Sequence, residues 1–347
     1  MKSNTVTKNQ DENLTYSKET QSLLDTIELT SDYSPTKTQV RQAKKGFNKA
    51  QTNTRLVHFA EELESQDSSD KPRFFKRFEA VGKCLEVAMQ ERGEIRQWRC
   101  KQSRLCKNCA RAEAQKRIAE YTPDLVKLAL EDTMYMVTLT APRVKAGKLK
   151  YTIDQRLKAF ARVKDNMRKN HGIKLQGLRK LEVTYEDDKS KKTHDTYHPH
   201  FHFLIQGETE ARLLQALWLN QFRDASIKAQ HMIPIHITKD DSSNLLEVFK
   251  YATKQVVKNN TQAKAEINIL RAIDRRRIFQ TFGELQKVYT EKLEDTESNK
   301  VDWKYEDIEI FVFQDRESDW VSSSGERLVD LSPKQVKEFE HYNKSRK

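Results

Sequence analysis

At 347 residues, with 36% hydrophobic and 33% charged positions, the chain is polar for a globular protein yet long enough for a catalytic core with appendages. It has no apolar run of the roughly 18 residues needed to cross a bilayer, and MKSNTVTKNQDENLTY has no signal-type apolar stretch, so no membrane partner and a cytoplasmic location are expected. The net charge of +12 is concentrated: residues 71–283 hold 43 basic against 24 acidic residues, while 1–70 carry a net −2 and 284–347 a net −5, a distribution that favours a polyanionic partner such as nucleic acid.

In chain order, residues 1–36 are polar with a short Leu23, Leu24, Ile27 cluster and read as a disordered arm. Helices are expected at 37–65 and 72–92, the second with Phe74, Phe78, Val81, Leu85 and Ala88 on one stripe, and SQDSSDKP links them. From Met134 the pattern changes to alternating β-formers, with strands expected at 134–141, 178–185, 200–206 and 231–238. Helices are expected at 152–169, 209–224 and 242–258. This order fits an α+β fold: an antiparallel sheet with helices packed on one face, preceded by a helical, cysteine-rich region. Beyond 284 lie one β-like run, Ile308 to Phe313, and a polar terminal helix. Four stretches follow: an arm with a helix at 1–70, the cysteine-rich region at 71–130, the segment carrying the main motifs at 131–283, and an acidic extension at 284–347.

Four of nine histidines crowd into THDTYHPHFHFLIQG: His194, His198, His200 and His202. Side chains alternate along a strand, so His200 and His202 share one face about 7 Å apart, while Phe201 and Phe203 turn to the core. Two imidazoles so placed can bind one divalent cation, and a carboxylate from a neighbouring strand would complete the site. Glu182 in LRKLEVTY is the candidate, and His198 shares the parity, although Pro199 can redirect it.

SSNLLEVFKYATKQVVKN reads as an amphipathic helix capped by Ser242 or Ser243. Glu247, Tyr251, Lys254 and Lys258 share one face at i, i+4, i+7 and i+11. A tyrosine among cations can act as a nucleophile on a phosphodiester, and a carboxylate one turn earlier can activate water. An ordinary amphipathic helix has the same spacing.

MVTLT at 136–140, HPHFHFLI at 198–205 and EVFKYATK at 247–254 together resemble the three ordered motifs of rolling-circle plasmid replication initiators in the HUH endonuclease superfamily, in the branch with one tyrosine and a glutamate four residues before it. The resemblance covers roughly 130–260 and implies an HUH nicking and joining domain at 131–283. It implies His200 and His202 as ligands of Mg²⁺ or Mn²⁺, Glu182 as a third, Tyr251 as the residue joined to the 5′ end, Glu247 as the activator of water and Lys254 as a phosphate contact. Double-stranded origin DNA, single-stranded DNA, a host helicase and a single-strand-binding protein are the implied partners. A departure is the long polar insert EDDKSKKTHDTY between the Glu182 strand and the histidines. HUH transposases and relaxases are the neighbouring alternatives, and a non-catalytic zinc-containing DNA-binding regulator is a further one.

All four cysteines, Cys84, Cys100, Cys106 and Cys109, fall in one basic stretch, and C-x₂-C at 106–109 has the spacing of a zinc knuckle. A structural Zn²⁺ on four thiolates is expected. Cys84, inside an apparent amphipathic helix, has the alternative of being a small core residue.

Overall fold

The computed structural model describes residues 35–91, 94–237, 259–285 and 308–345. The expected helix at 242–258, with Glu247, Tyr251 and Lys254, lies outside the described residues, as does the arm up to residue 34. The chain runs through α1 (Lys37–Glu64), α2 (Lys71–Gly82), β1 (Val87–Glu91), β2 (Glu94–Gln97), α3 (Lys107–Glu131), β3 (Met134–Leu139), α4 (Ala146–Asn170), β4 (Gly177–Glu186) and β5 (Thr196–Gln206). It continues through α5 (Glu208–Gln221), β6 (His231–Ile235), α6 (Asn260–Ile273), β7 (Phe279–Phe282), β8 (Glu309–Gln314), β9 (Asp319–Ser322) and α7 (Pro333–Ser345).

Alternation in TYHPHFHFLIQ builds the centre of a five-stranded antiparallel sheet of order β6-β3-β5-β4-β7. Phe201, Phe203 and Ile205 of β5, with Val137 and Leu139 of β3 and Leu181 and Val183 of β4, pack against Ile153 and Phe160 of α4, Leu214 and Trp218 of α5 and Ile269 and Ile273 of α6. Each buried aromatic or aliphatic side chain of this kind stabilises the fold by roughly 1.5–3 kcal/mol. Trp218 also satisfies its indole N–H, which donates to the Thr140 carbonyl at 2.7 Å.

The opposite face of the same sheet carries a second apolar cluster at one end. Leu178, Leu204, Met134 and Ile235 lie there, and Tyr121, Leu125 and Leu128 of α3 bury them. This corrects the expectation that the helices pack on one face: apolar residues at the far end of the histidine-bearing face require a cover of their own. The other end of that face carries the histidines.

A second antiparallel sheet, of order β2-β1-β8-β9, joins strands from the cysteine-rich stretch and the C-terminal extension. Its Phe311, Phe313 and Trp320 pack with Phe59 of α1, Phe74 and Phe78 of α2, and Ala263, Ile267 and Leu270 of α6. Gly46 lies in the middle of α1 because a Cβ there would collide with the carbonyl oxygen of Ser318 in the β8–β9 turn. α1 itself opens with a capping box in which Thr36 and Gln39 satisfy each other's backbone N–H groups.

The expected helix at 72–92 is overturned beyond its first half. Phe74, Phe78 and Val81 lie on the buried stripe of α2, but the helix ends at Gly82 and Leu85 adopts a left-handed conformation with φ 58°. The backbone N–H of Leu85 donates to Trp98 at 2.9 Å and its carbonyl accepts from the Trp320 indole at 2.7 Å, so pairing with β2 and β8 draws Ala88 into a strand. Long-range sheet pairing here outweighs local helical periodicity.

Candidate metal centres

In β5 the odd residues enter the aromatic core, which leaves His198, His200 and His202 on the opposite face. Across the β4–β5 ladder His200 stands opposite Glu182, His202 opposite Lys180 and His198 opposite Thr184. Glu182, His200 and His202 bring one donor atom each to within 4.8 Å of one another, a grouping that could hold a metal ion. Glu182 Oε2 is 3.2 Å from Nε2 of His202, and the His200 and His202 rings meet edge to face with centroids 4.8 Å apart.

Neighbouring groups orient both imidazoles. Nδ1 of His200 lies 2.9 Å from the His198 carbonyl oxygen, and Nδ1 of His202 lies 3.2 Å from the Thr138 hydroxyl. Each contact engages Nδ1 and so sets the ring angle, while Nε2 of His202 faces the Glu182 carboxylate, where an ion bound among the three groups would take the place of that contact.

Burial first, opposed by the bond to the His198 carbonyl and reinforced by neighbouring His202, lowers His200 to a pKa of about 4. Burial and the adjacent His200 bring His198 to about 3. Both are therefore neutral near pH 7, the ligand-competent form. Burial opposes ionisation of Glu182, but the hydrogen bond with His202 and the charge of Lys180, its Nζ 3.8 Å away, outweigh it and hold the carboxyl below its ordinary range. Two imidazoles and one carboxylate form a mixed N/O donor set suited to a divalent cation.

His198 stacks on His200 with centroids 5.1 Å apart but is not a member of the three-residue donor group. Two neighbours escaped the reading of the sequence. Thr138 and Lys180 follow from the same period-two rule, since Thr138 pairs with His202 across β3–β5 and Lys180 with His202 across β4–β5.

The second cluster lies where α2, β1 and the start of α3 meet. All four cysteines are buried and free. Cys84 Sγ is 3.6 Å from both Cys106 and Cys109, and Cys100 Sγ is 3.6 Å from Cys109. These spacings far exceed the ~2.05 Å of a disulfide and match the ~3.8 Å edge of a tetrahedron with metal–sulfur bonds of ~2.3 Å, so the cluster could bind zinc. Backbone N–H groups of Cys100 and Gln102 point at the sulfurs of Cys84 and Cys100, each at 3.4 Å. Buried Lys49 donates to the Gly82 carbonyl at 2.7 Å and places a positive charge within electrostatic reach of Cys84 and Cys106. Cys84 is thus in the turn after α2 and faces the other three sulfurs, not in a helical stripe.

A curated relative from Bacillus sp, described as "Protein rep", is 26% identical over 275 residues, which cover 68% of this chain and 86% of that protein. No solved structure matches. The replication protein family Rep_1 matches residues 92–323, from β2 to β9, a span that holds Glu182, His200, His202 and three of the four cysteines. With that match extending over most of its length and the histidine and tyrosine motifs lying inside it, the chain belongs to the Rep_1 family of replication proteins, as a plasmid replication initiator of the rolling-circle type.

Proposed function

We propose that the protein nicks one strand of its origin through Tyr251 and later rejoins or releases it. The observation that carries this reading is the convergence of Glu182, His200 and His202 on one face of the sheet, in a chain of the replication protein family. A divalent ion, Mg²⁺ or Mn²⁺, held by these three side chains would polarise the scissile phosphate. His198, packed on His200, keeps that ring in place. Thr138 and Lys180 hold His202 and Glu182 in register.

In this scheme the Tyr251 oxygen attacks phosphorus as the bond to the 3′ oxygen breaks, which yields a 5′-phosphotyrosyl ester and a free 3′ hydroxyl for a polymerase. Lys254, three residues after Tyr251, neutralises phosphate charge, and Glu247 takes a proton from water when the ester is hydrolysed at termination. The cysteine cluster carries Zn²⁺ as a structural ion, which organises a basic surface for duplex origin DNA. A helicase and a single-strand-binding protein of the host would extend and protect the displaced strand.

The test is incubation of an end-labelled single-stranded origin oligonucleotide with Mn²⁺, followed by denaturing gels and mass-spectrometric mapping. Wild-type protein is expected to form an adduct on Tyr251, Tyr251→Phe to form none, and Glu247→Ala to form it and release it slowly. An adduct on Tyr185, Tyr197 or Tyr289 would refute the assignment. Origin binding with no nicking at all would make the chain a zinc-containing DNA-binding regulator instead.

A further inference from the structure

Beside the cysteine cluster, α1, the segment after β2 and the start of α3 border a small open cleft lined by Arg41, Lys45, Arg99, Asn108 and Arg111. It continues into a wider one that shares Arg41, Lys45 and Arg99 and adds Gln97. Three guanidinium groups and an ammonium thus face one small space. No described carboxylate lies within ion-pair distance of any of the four. Glu94 borders the wider cleft, but its carboxylate is on the Arg96 side, 3.6 Å from that guanidinium.

The cleft is organised by polar contacts. Lys45 Nζ donates to Gln97 Oε1 at 3.2 Å, and the Lys45 carbonyl accepts from Asn108 Nδ2 at 3.0 Å. Gln97 Nε2 is buried with no hydrogen-bond partner, a donor beside the cations. Burial first, then the charges of Arg99 and Arg41, lower Lys45 to a pKa of about 8. Like charges gathered at a partly desolvated site destabilise the fold unless an anion neutralises them. Arg99 immediately precedes Cys100, and Asn108 and Arg111 flank Cys109, so the sulfur cluster holds one wall of the cleft against Arg41 and Lys45 of α1.

We propose that this cleft seats a phosphate of the DNA backbone, clamped between α1 and the cysteine loop, as a site separate from the histidine centre. The inference rests on the reading of the chain as a DNA-binding initiator and adds where the duplex is gripped. Phosphate contacts position a duplex and carry no sequence information, so the clamp contributes affinity and salt dependence, not origin preference.

The experiment uses full-length, zinc-loaded protein and compares wild type with the double variant Arg41→Gln/Arg111→Gln, both residues being exposed. Affinity for an origin duplex and for a scrambled duplex of equal length is measured over a range of NaCl concentrations, with a thermal melt as the control for folding. Loss of the grip on this one phosphate is expected to lower the slope of log affinity against log salt by about 1 and to weaken both duplexes about tenfold, with their ratio unchanged. The Arg41→Lys/Arg111→Lys variant keeps the charges and is expected to restore most of the slope. Nicking of a saturating single-stranded oligonucleotide is expected to stay at the wild-type rate. An unchanged slope and affinity in the Gln variant would overturn the clamp while leaving the nicking reading intact. A ³¹P titration with inorganic phosphate forms a second arm: phosphate binding lost in the variant with duplex affinity preserved would make this a site for a free anion and overturn the assignment to DNA. Wild-type protein that binds neither duplex would remove the initiator reading, and the clamp with it.

Discussion

Glu182 and His202 meet diagonally across the β4–β5 ladder: the carboxylate lies 3.2 Å from Nε2 of His202, although the direct cross-strand neighbour of Glu182 is His200. One carboxylate therefore serves two imidazoles on adjacent rungs, and a cation placed among them would replace the contact between Glu182 and His202.

Glu182→Gln removes the charge and keeps the shape. It is expected to weaken Mn²⁺ binding at least about tenfold, read by electron paramagnetic resonance of free Mn²⁺ and by the Mn²⁺ dependence of nicking. His200→Ala and His202→Ala are expected to abolish nicking with duplex binding largely retained, since a catalytic ion serves chemistry more than affinity. Equal loss of binding and cleavage would mark the cluster as structural, and unaltered Mn²⁺ affinity in the Gln variant would remove Glu182 from the ligand set.

The histidine face also makes stability depend on pH. His200 and His198 fall to about 4 and about 3 in the folded chain, against an ordinary value of about 6.5 in the unfolded one. Below about pH 6.5 the unfolded chain binds protons that the folded chain does not, so the stability present above that pH is lost progressively down to about pH 3–4. Thermal melts of protein freed of divalent ions should show this decline, and His200→Asn should flatten part of it. Parallel curves for the two proteins would contradict the assignment to His200.

One Zn²⁺ per chain with tetrahedral sulfur coordination is expected from metal analysis and X-ray absorption of purified protein. Strong chelation, or Cys109→Ser, should collapse the packing of Phe59, Phe78 and Trp320 around the cluster, seen as a large drop in melting temperature. A metal-free protein, fully folded and with four titratable thiols, would contradict this.

Arg55 and Glu266 form a buried ion pair that ties α1 to α6, with Arg55 also donating to the Leu105 carbonyl beside Cys106. Glu266→Gln leaves the guanidinium buried without a countercharge and should cost about 3–5 kcal/mol in urea unfolding. The paired change Arg55→Met/Glu266→Leu should recover most of that loss. A cost below about 1 kcal/mol would mean that water reaches the pair.

Much of the histidine-bearing half is legible in the residue order. Strands expected at 134–141, 178–185, 200–206 and 231–238 correspond to β3, β4, β5 and β6, and the expected helices at 152–169 and 209–224 to α4 and α5. Their signals are strong because strict alternation and helical stripes are local properties. The short strands β1, β2, β7 and β9 gave no such signal, having only four or five residues each. Ala88 and Leu85 fitted a helical stripe until pairing with Phe311 and with Trp98 decided otherwise.

By itself the sequence determined that His200 and His202 share a face, that Phe201 and Phe203 do not, and that four cysteines lie within one basic stretch, since chain alternation and spacing are covalent facts. Only the tertiary structure decided that Glu182 stands opposite His200 across the polar insert, that α3 packs on the end of the histidine-bearing face away from Glu182 and the histidines, and that Arg41 and Lys45 meet Arg99 and Arg111. Register, coverage and charge crowding arise from contacts between residues far apart in the chain, and their free energy depends on which surfaces are buried together, which no local pattern records.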